Sequence, residues 1–270
     1  MAERRPIVGL VVAVTGGGRG IGLATARALS ARGAKLAVGD LDGALAERVA
    51  VSLGGIGCEL DVTRRESFAA FLDAAGPVDV LINNAGVMHV GPFLEETDEW
   101  TRRQVDVNLH GVILGMKLAL PPMVARGSGH IVNVASAASL IGVPREAVYA
   151  ASKHAVMGVS ESVRLELRGS GVDLSVVMPG LVRTELASGT LRGLVLSPDD
   201  VAHAIVAAIE RPRFDVYVPR AYGAVATVGQ LLPRRAREAV LRLAGAERAT
   251  ARTTAAERAA YEARVERGEG

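Results

Sequence analysis

Val11-Val12-Ala13-Val14-Thr15-Gly16-Gly17-Gly18-Arg19-Gly20-Ile21-Gly22 is the stretch whose reading decides the fold. Val11–Val14 is a short run of small aliphatics, the composition of a strand buried on both faces of a parallel sheet. A glycine-dense turn follows it, and Gly20–Arg32 then carries helical periodicity. Glycines between a strand and a helix let backbone N–H groups approach an anion, and the helix start adds about half a positive charge. Gly20 and Gly22 permit close backbone and helix–strand approach, which a Cβ would block. The spacing is G-x-x-x-G-x-G rather than G-x-G-x-x-G, and no Lys-Ser/Thr pair follows the last glycine, which excludes a Walker-type loop. The turn is therefore read as a dinucleotide phosphate site, with Gly16, Gly18, Arg19, Gly20, Ile21 and Gly22 around the ligand.

Outward from this unit the same alternation repeats. Lys35–Gly39, Ile56–Leu60, Val78–Ile82, His130–Ala135, Leu174–Met178 and Phe214–Val218 read as further strands. Ala44–Leu53, Arg64–Ala75, Trp100–Arg126, Ala147–Arg168 and Pro198–Glu210 read as helices, several closed by Gly33, Gly54, Gly76 or Gly127. Strand–helix alternation of this kind predicts an α/β fold, a single-domain doubly wound (Rossmann) parallel sheet with right-handed crossovers. No repeat and no Pro- or Gly/Ser-rich linker divides residues 1–232. Residues 233–270 differ, with nine Arg against six Glu and few large apolar side chains. They read as a basic helical tail, either solvated or laid on an anionic surface or a neighbouring subunit.

Composition excludes other classes. The 270 residues carry 31 basic and 29 acidic side chains, a net +2, with 49% apolar residues, so the chain is not of the disordered type. One cysteine, Cys58, makes no disulfide framework and fits a reducing compartment or an indifferent one. Ile7–Val14 behind Arg4-Arg5 superficially resembles a signal peptide, but it runs into the glycine turn without a small-residue cleavage site. No apolar run reaches the ~18–20 residues of a spanning helix. A cytoplasmic protein without a membrane segment is expected. Scattered Arg without interleaved aromatics predicts no nucleic-acid binding. His89, His110 and His154 show no metal-ligand pattern.

Asp40 ends the second strand, twenty residues beyond Gly20. A carboxylate there accepts hydrogen bonds from a ribose diol and repels a 2′-phosphate, which favours NAD over NADP. Arg19 pulls the other way, because its guanidinium could reach such a phosphate. Asp61, with Val62 after it, could meet an adenine amino group or simply cap the following turn.

Tyr149 and Lys153 lie four apart on a helix and share a face. A phenol titrates near pH 10, and a buried ammonium beside it would favour the phenolate; three units of depression would take about 4 kcal/mol. Such a pair suits acid–base catalysis. With the glycine turn, Asn83-Asn84-Ala85-Gly86, Asn108, Ser136 and Pro179-Gly180, the chain resembles the short-chain dehydrogenase/reductase family from about Val8 to Val218. The resemblance implies strand order 3-2-1-4-5-6-7. It implies Tyr149 as general acid/base and Lys153 as ribose ligand that lowers the Tyr149 pKa. It further implies Ser136 as hydrogen-bond partner of the substrate oxygen and Asn108 as holder of a relay water. Asn83, Ala85 and Gly86 would support the adenosine side and fourth strand, and Pro179, Gly180, Val182 and Thr184 the nicotinamide side. Ser139 rivals Ser136, and the thirteen-residue spacing to Tyr149 favours Ser136. Ala135 stands where the family usually has Ser.

Leu181–Leu196, with glycines among its leucines, reads as a lid that excludes water on closing. Met88, Val90, Leu140, Ile141 and Val143 would line an apolar pocket, without an Arg or Lys placed to clamp a carboxylate. The expected activity is NAD(H)-dependent interconversion of a hydrophobic secondary alcohol and a ketone. Alternatives are an NADPH-dependent 3-oxoacyl-thioester reductase, a catalytically silent dinucleotide sensor, or a methyltransferase of similar topology. Relatives imply a homodimer or homotetramer.

Overall fold

The computed structural model describes residues 4–188, 195–223, 233, 235–236 and 255–266, the last segment with side chains from 258. Seven strands, β1 (Val11–Thr15), β2 (Lys35–Asp40), β3 (Ile56–Glu59), β4 (Val80–Asn83), β5 (Gly129–Val134), β6 (Val172–Pro179) and β7 (Asp215–Val218), form one sheet in the order β3-β2-β1-β4-β5-β6-β7. Every pairing is parallel. The helices are α1 (Gly20–Ser30), α2 (Gly43–Ser52), α3 (Arg65–Ala75), α4 (Asp98–Val105), α5 (Gly111–Ala125), α6 (Ala147–Glu166), α7 (Pro198–Glu210) and α8 (Ala255–Glu266).

Strand alternation splits the core into two layers. Val12, Val14, Val38, Val80 and Val177 face α1, α2 and α7 through Leu29, Ala46, Ile205 and Ile209. Ala13, Ala37, Leu81, Ile131 and Met178 face α3, α5 and α6 through Phe68, Phe71, Met116, Met123 and Val156. Small strand residues let helices sit close, so the few large side chains carry much of the packing. Phe68 and Phe71 are fully buried edge to face, 6.4 Å apart, and truncating either costs about 3–5 kcal/mol. Gly33, Gly54, Gly76 and Gly127 leave their helices with positive φ, as the sequence predicts. A capping box between Ser197 and Asp200 starts α7.

The helix expected over Trp100–Arg126 begins instead at Asp98, where the Thr97 hydroxyl accepts from the Trp100 N–H at 3.2 Å. It is interrupted by a π-helical turn at Asp106–His110. An 18-residue stretch within Asp98–Ala125 is long and apolar enough to cross a membrane by length and composition, with a mean hydropathy of 1.3, and 44% of that stretch is buried within the protein. Counting unbroken apolar runs overlooked it, because the average tolerates Asn108, His110 and Lys117. Its buried Val112, Leu114, Met116, Ala119 and Met123 pack in the core beneath β4 and β5, as a core helix does.

β1 pairs with both β2 and β4, so the order reverses at β1. Ligands of open α/β sheets bind at that switch point, outside the carboxyl ends of the strands. Thr15, Asp40, Asn83, Val134 and Pro179 end their strands at this edge.

Candidate active site

The glycine turn is shaped by close contacts. A Cβ on Gly22 would lie 2.1 Å from the Gly16 carbonyl oxygen, and one on Gly16, at φ +60°, would lie 2.9 Å from Ala85 Cα. The Arg19 side chain makes no cap bond at the start of α1, and the N-terminus of a helix is suited to an anion. The Gly18 N–H donates to Asp40 Oδ2 at 2.8 Å, and the Asp42 N–H to Asp40 Oδ1 at 3.2 Å. Burial raises the Asp40 pKa, against these bonds and the nearby Arg19 charge. Arg19 lies 3.3 Å from Asp42 and 3.9 Å from Glu185.

Asn84 ties β4 to the turn. Its amide donates to the carbonyls of Thr15 at 2.9 Å and Gly16 at 3.0 Å, while the Thr15 hydroxyl accepts from the Asn84 and Ala85 N–H groups. Asn83 instead turns into the layer behind the sheet and donates to Asn133 Oδ1 at 2.8 Å. It thus supports the strand rather than the cavity, which Asn84, Ala85 and Gly86 line. Sequence reading passed over Asn84, whose neighbour carried the more familiar role. Asp61 lines the cavity too, yet its Oδ1 accepts from the Thr63 N–H and hydroxyl at 2.9 and 2.7 Å, the turn-capping alternative.

Ser136, Tyr149 and Lys153 meet beyond β5. The Ser136 hydroxyl accepts from the Ala138 N–H at 3.1 Å and stands near enough to the Tyr149 phenol to draw its pKa down. The rival Ser139 donates back to the Ser136 carbonyl and does not line the cavity. Lys153 donates to the Val134 carbonyl at 3.0 Å, with its nitrogen 5.8 Å from the Tyr149 ring centroid. Burial lowers the Lys153 pKa to about 8 and pushes the Tyr149 phenol above its ordinary range, with Glu146 and Tyr261 adding to the rise and Ser136 opposing it. The expected depression of the phenol by its neighbour is therefore not what this geometry produces. The amine points at a backbone carbonyl, and desolvation drives both groups toward their neutral forms.

Asn108 sits in the π-turn, fully buried. Its Oδ1 accepts from the Val87 N–H at 2.8 Å, and its Nδ2 donates to the Val87 carbonyl at 2.8 Å and Ser152 Oγ at 3.1 Å. A Cβ on Gly86 would stand 3.2 Å from Asn108 Oδ1 and 3.6 Å from Lys153 Nζ, so both groups flank that glycine. The amide thus holds the segment after β4 while lying near the lysine.

One cavity of about 940 Å³ joins these parts. Gly16, Arg19, Gly20, Ile21, Asp40, Val62, Pro179, Gly180, Val182 and Thr184 line it alongside Ser136, Tyr149 and Lys153. Gly18 and Gly22 shape the turn from behind. Its volume and the cradle that a Cβ would fill at Gly16 and Gly22 fit a dinucleotide plus a small substrate. Met88, Leu140, Ile141, Val143 and Leu186 make the substrate end apolar, whereas Val90 packs beneath Met88 and Tyr149. Leu191, Leu194, Gly189 and Gly193 of the expected lid lie outside the described residues. Glu146, Tyr222, Tyr261 and Arg264 also line the cavity, and sequence reading missed all four. Tyr222 packs on Gly180, where a Cβ would lie 2.6 Å from its ring. Glu146, three residues before Tyr149, is pushed up to about 7 by burial, with Arg258 opposing.

The tail expectation changes here. The division at residue 232 falls among residues outside the description, but α8 is neither frayed nor solvated on all sides. Tyr261 and Val265 are buried against Val87 and Trp100.

Comparison with known proteins agrees with this arrangement. The profile of the short chain dehydrogenase family matches residues 10–193. The chain is 36% identical over 214 residues to a 3-alpha-(or 20-beta)-hydroxysteroid dehydrogenase of Mycobacterium bovis, covering 74% of this chain and 82% of that one. It is 39% identical over 199 residues to trans-4-hydroxycyclohexanecarboxylate dehydrogenase of Sinomonas cyclohexanicum, covering 68% and 76%. Glycine betaine reductase ATRR of Emericella nidulans is 36% identical over 229 residues, and there the match covers 77% of this chain but only 18% of that much longer protein. A short chain dehydrogenase of Burkholderia cenocepacia, solved with NADP, superposes with a TM-score of 0.79 at 31% identity, covering 88% of this chain and 99% of that one. A Burkholderia phymatum enzyme, solved with NAD, gives 0.77 at 29%, covering 84% and 94%. The switch-point cavity, the Ser136–Tyr149–Lys153 cluster at its floor and these likenesses place the chain in the short-chain dehydrogenase/reductase family, whose members act on hydroxyl and ketone groups.

Proposed function

We propose that this chain is an NAD(H)-dependent oxidoreductase that interconverts a hydrophobic secondary alcohol and its ketone. The observation that carries the reading is that Ser136, Tyr149 and Lys153 line the same cavity as the glycine turn. A bound nicotinamide supplies the hydride acceptor or donor. Tyr149 as the phenol gives a proton to the carbonyl oxygen in reduction, only its deprotonated phenolate takes the hydroxyl proton in oxidation, and Ser136 orients that oxygen. Its raised pKa keeps the phenol protonated at neutral pH, the form that reduction needs. Lys153, with a pKa near 8, is positioned to exchange protons close to working pH.

Asp40 supports NAD over NADP, because a buried carboxylate at the end of β2 would face a 2′-phosphate. Arg19, set beside Asp42 and Glu185, is partly neutralised as a phosphate ligand. The apolar lining supports a substrate of ring or branched hydrocarbon character. The relatives named for hydroxysteroid and hydroxycyclohexanecarboxylate substrates make alicyclic alcohols the first probes to try. The single cysteine suits a cytoplasmic setting. Val105 on α4 and Leu165 on α6 are exposed, which supports pairing of copies as a homodimer or homotetramer. The test is turnover of cyclohexanol and larger alicyclic alcohols with NAD and with NADP, followed by reduced-nicotinamide absorbance. Turnover with NAD several-fold faster than with NADP supports the reading; no turnover with either overturns it.

A further inference from the structure

α8 lies beyond the 10–193 segment that carries the family match, yet it reaches the substrate end of the cavity. Its residues 258, 261 and 265 recur at helical spacing and are 4–5% exposed. Arg258 bridges two walls of the pocket. It donates to the Met88 carbonyl after β4 and to the Leu186 carbonyl after β6, the latter at 2.8 Å. Tyr261 accepts from the Met88 N–H at 3.3 Å, and Arg264 pairs with Glu185 at 2.7 Å. Farther out, Glu262 meets His89 at 2.9 Å, and the Trp100 indole donates to Glu266 at 3.2 Å. Buried charge-assisted bonds to backbone carbonyls are among the stronger hydrogen bonds in proteins. A segment that merely rested on the surface would leave Arg258 in water.

We propose that α8 is a fixed wall of the substrate pocket, with Tyr261 as its specificity-determining residue and Arg258 as the positioning residue that holds it. This inference rests on the oxidoreductase reading above. The Tyr261 ring, with the Arg258 and Arg264 guanidinium groups 4.5 and 5.7 Å from its centroid, limits how far a substrate extends beyond Met88 and Leu186. Substrate size is thus set by this chain's own extension.

Trp100 is the single tryptophan of the chain, so its emission reports whether α8 is seated. The full chain, with NAD, is assayed for kcat/KM on 2-propanol, cyclohexanol and decahydro-2-naphthol. Tyr261→Ala should raise the decahydronaphthol-to-propanol ratio at least about tenfold with Trp100 emission unchanged, while Tyr261→Phe, which keeps the ring, should leave the ratio within about twofold. Arg258→Met should red-shift Trp100 emission and raise KM for every alcohol more than it changes kcat. Should Tyr261→Ala fold poorly, Tyr261→Leu serves, with the same direction expected. A ratio that stays within about twofold in a folded small-residue variant, or an Arg258→Met enzyme with unshifted emission and KM, overturns the proposal. Wild-type enzyme inactive on all three alcohols is a different failure: it removes the oxidoreductase reading, and this one with it.

Discussion

Asp40 and Gly18 are joined by a 2.8 Å hydrogen bond from the glycine N–H to the carboxylate, locking the end of β2 onto the phosphate turn. The carboxylate therefore holds the turn, and in the proposed reading it also faces the adenosine ribose. Asp40→Ala should raise the NADP-to-NAD ratio of kcat/KM at least tenfold, on the order of 1.4 kcal/mol or more. It should also lower stability by about 1–3 kcal/mol, because the Gly18 N–H loses its partner. Steady-state kinetics with both cofactors and a urea melt check the two effects separately.

Gly22→Ala tests the close approach of turn and helix. A methyl placed 2.1 Å from the Gly16 carbonyl meets backbone, which cannot move aside cheaply. Dinucleotide affinity should fall by at least about tenfold while β-sheet content is kept. Titration calorimetry with NAD, alongside circular dichroism, measures both.

Lys153 carries a prediction about stability against pH. Its folded-state pKa of about 8 lies below the ordinary 10.5, so between those values the unfolded chain binds the extra proton. The contribution of this group to stability therefore rises with pH across that window, and below pH 8 the folded state bears the full penalty of burying the charge. Lys153→Met should be inactive and yet more stable than wild type near neutral pH, by up to about 3 kcal/mol less the lost bond to Val134. The advantage should vanish near pH ~10. Thermal melts of both proteins at the two pH values show whether it does.

Asn108→Ala removes three hydrogen bonds and leaves the Val87 N–H and carbonyl without their side-chain partners. A loss of about 2–4 kcal/mol in stability is expected from unsatisfied buried groups of this kind. Amide hydrogen exchange should quicken at Val87 before it does in β5. Equal protection at Val87 in variant and wild type would show that the amide is not the strut it resembles.

The sheet was legible because its strands are short apolar runs of period-one burial separated by helices with glycine ends. The order came with the family resemblance that the glycine turn and the later motifs carry. Spacing favours Ser136 over Ser139, and in the structure Ser136 lines the cavity while the Ser139 hydroxyl is bent onto the backbone. What stayed hidden depends on tertiary neighbours. Nothing local to Asp106–His110 announces a π-turn, since it is the Asn108 amide gripping a distant segment that accompanies it. The directions of the Tyr149 and Lys153 shifts needed burial and the position of the amine. α8 reads as a charged helix with little to bury, because Arg258 is a surface residue in any sequence pattern. It becomes a core contact only when the carbonyls of Met88 and Leu186 come to meet it.

The central claim is that the Tyr149 phenol moves the proton of an NAD-linked alcohol–ketone exchange. Tyr149→Phe removes one oxygen atom and keeps the ring, so cofactor binding should survive. The decisive measurement is kcat of this variant on an alcohol that wild type oxidises, with NAD affinity taken in parallel. The account predicts a drop of about 10²–10⁴ in kcat with NAD affinity within a few-fold of wild type. A variant that turns over at the wild-type rate would contradict it.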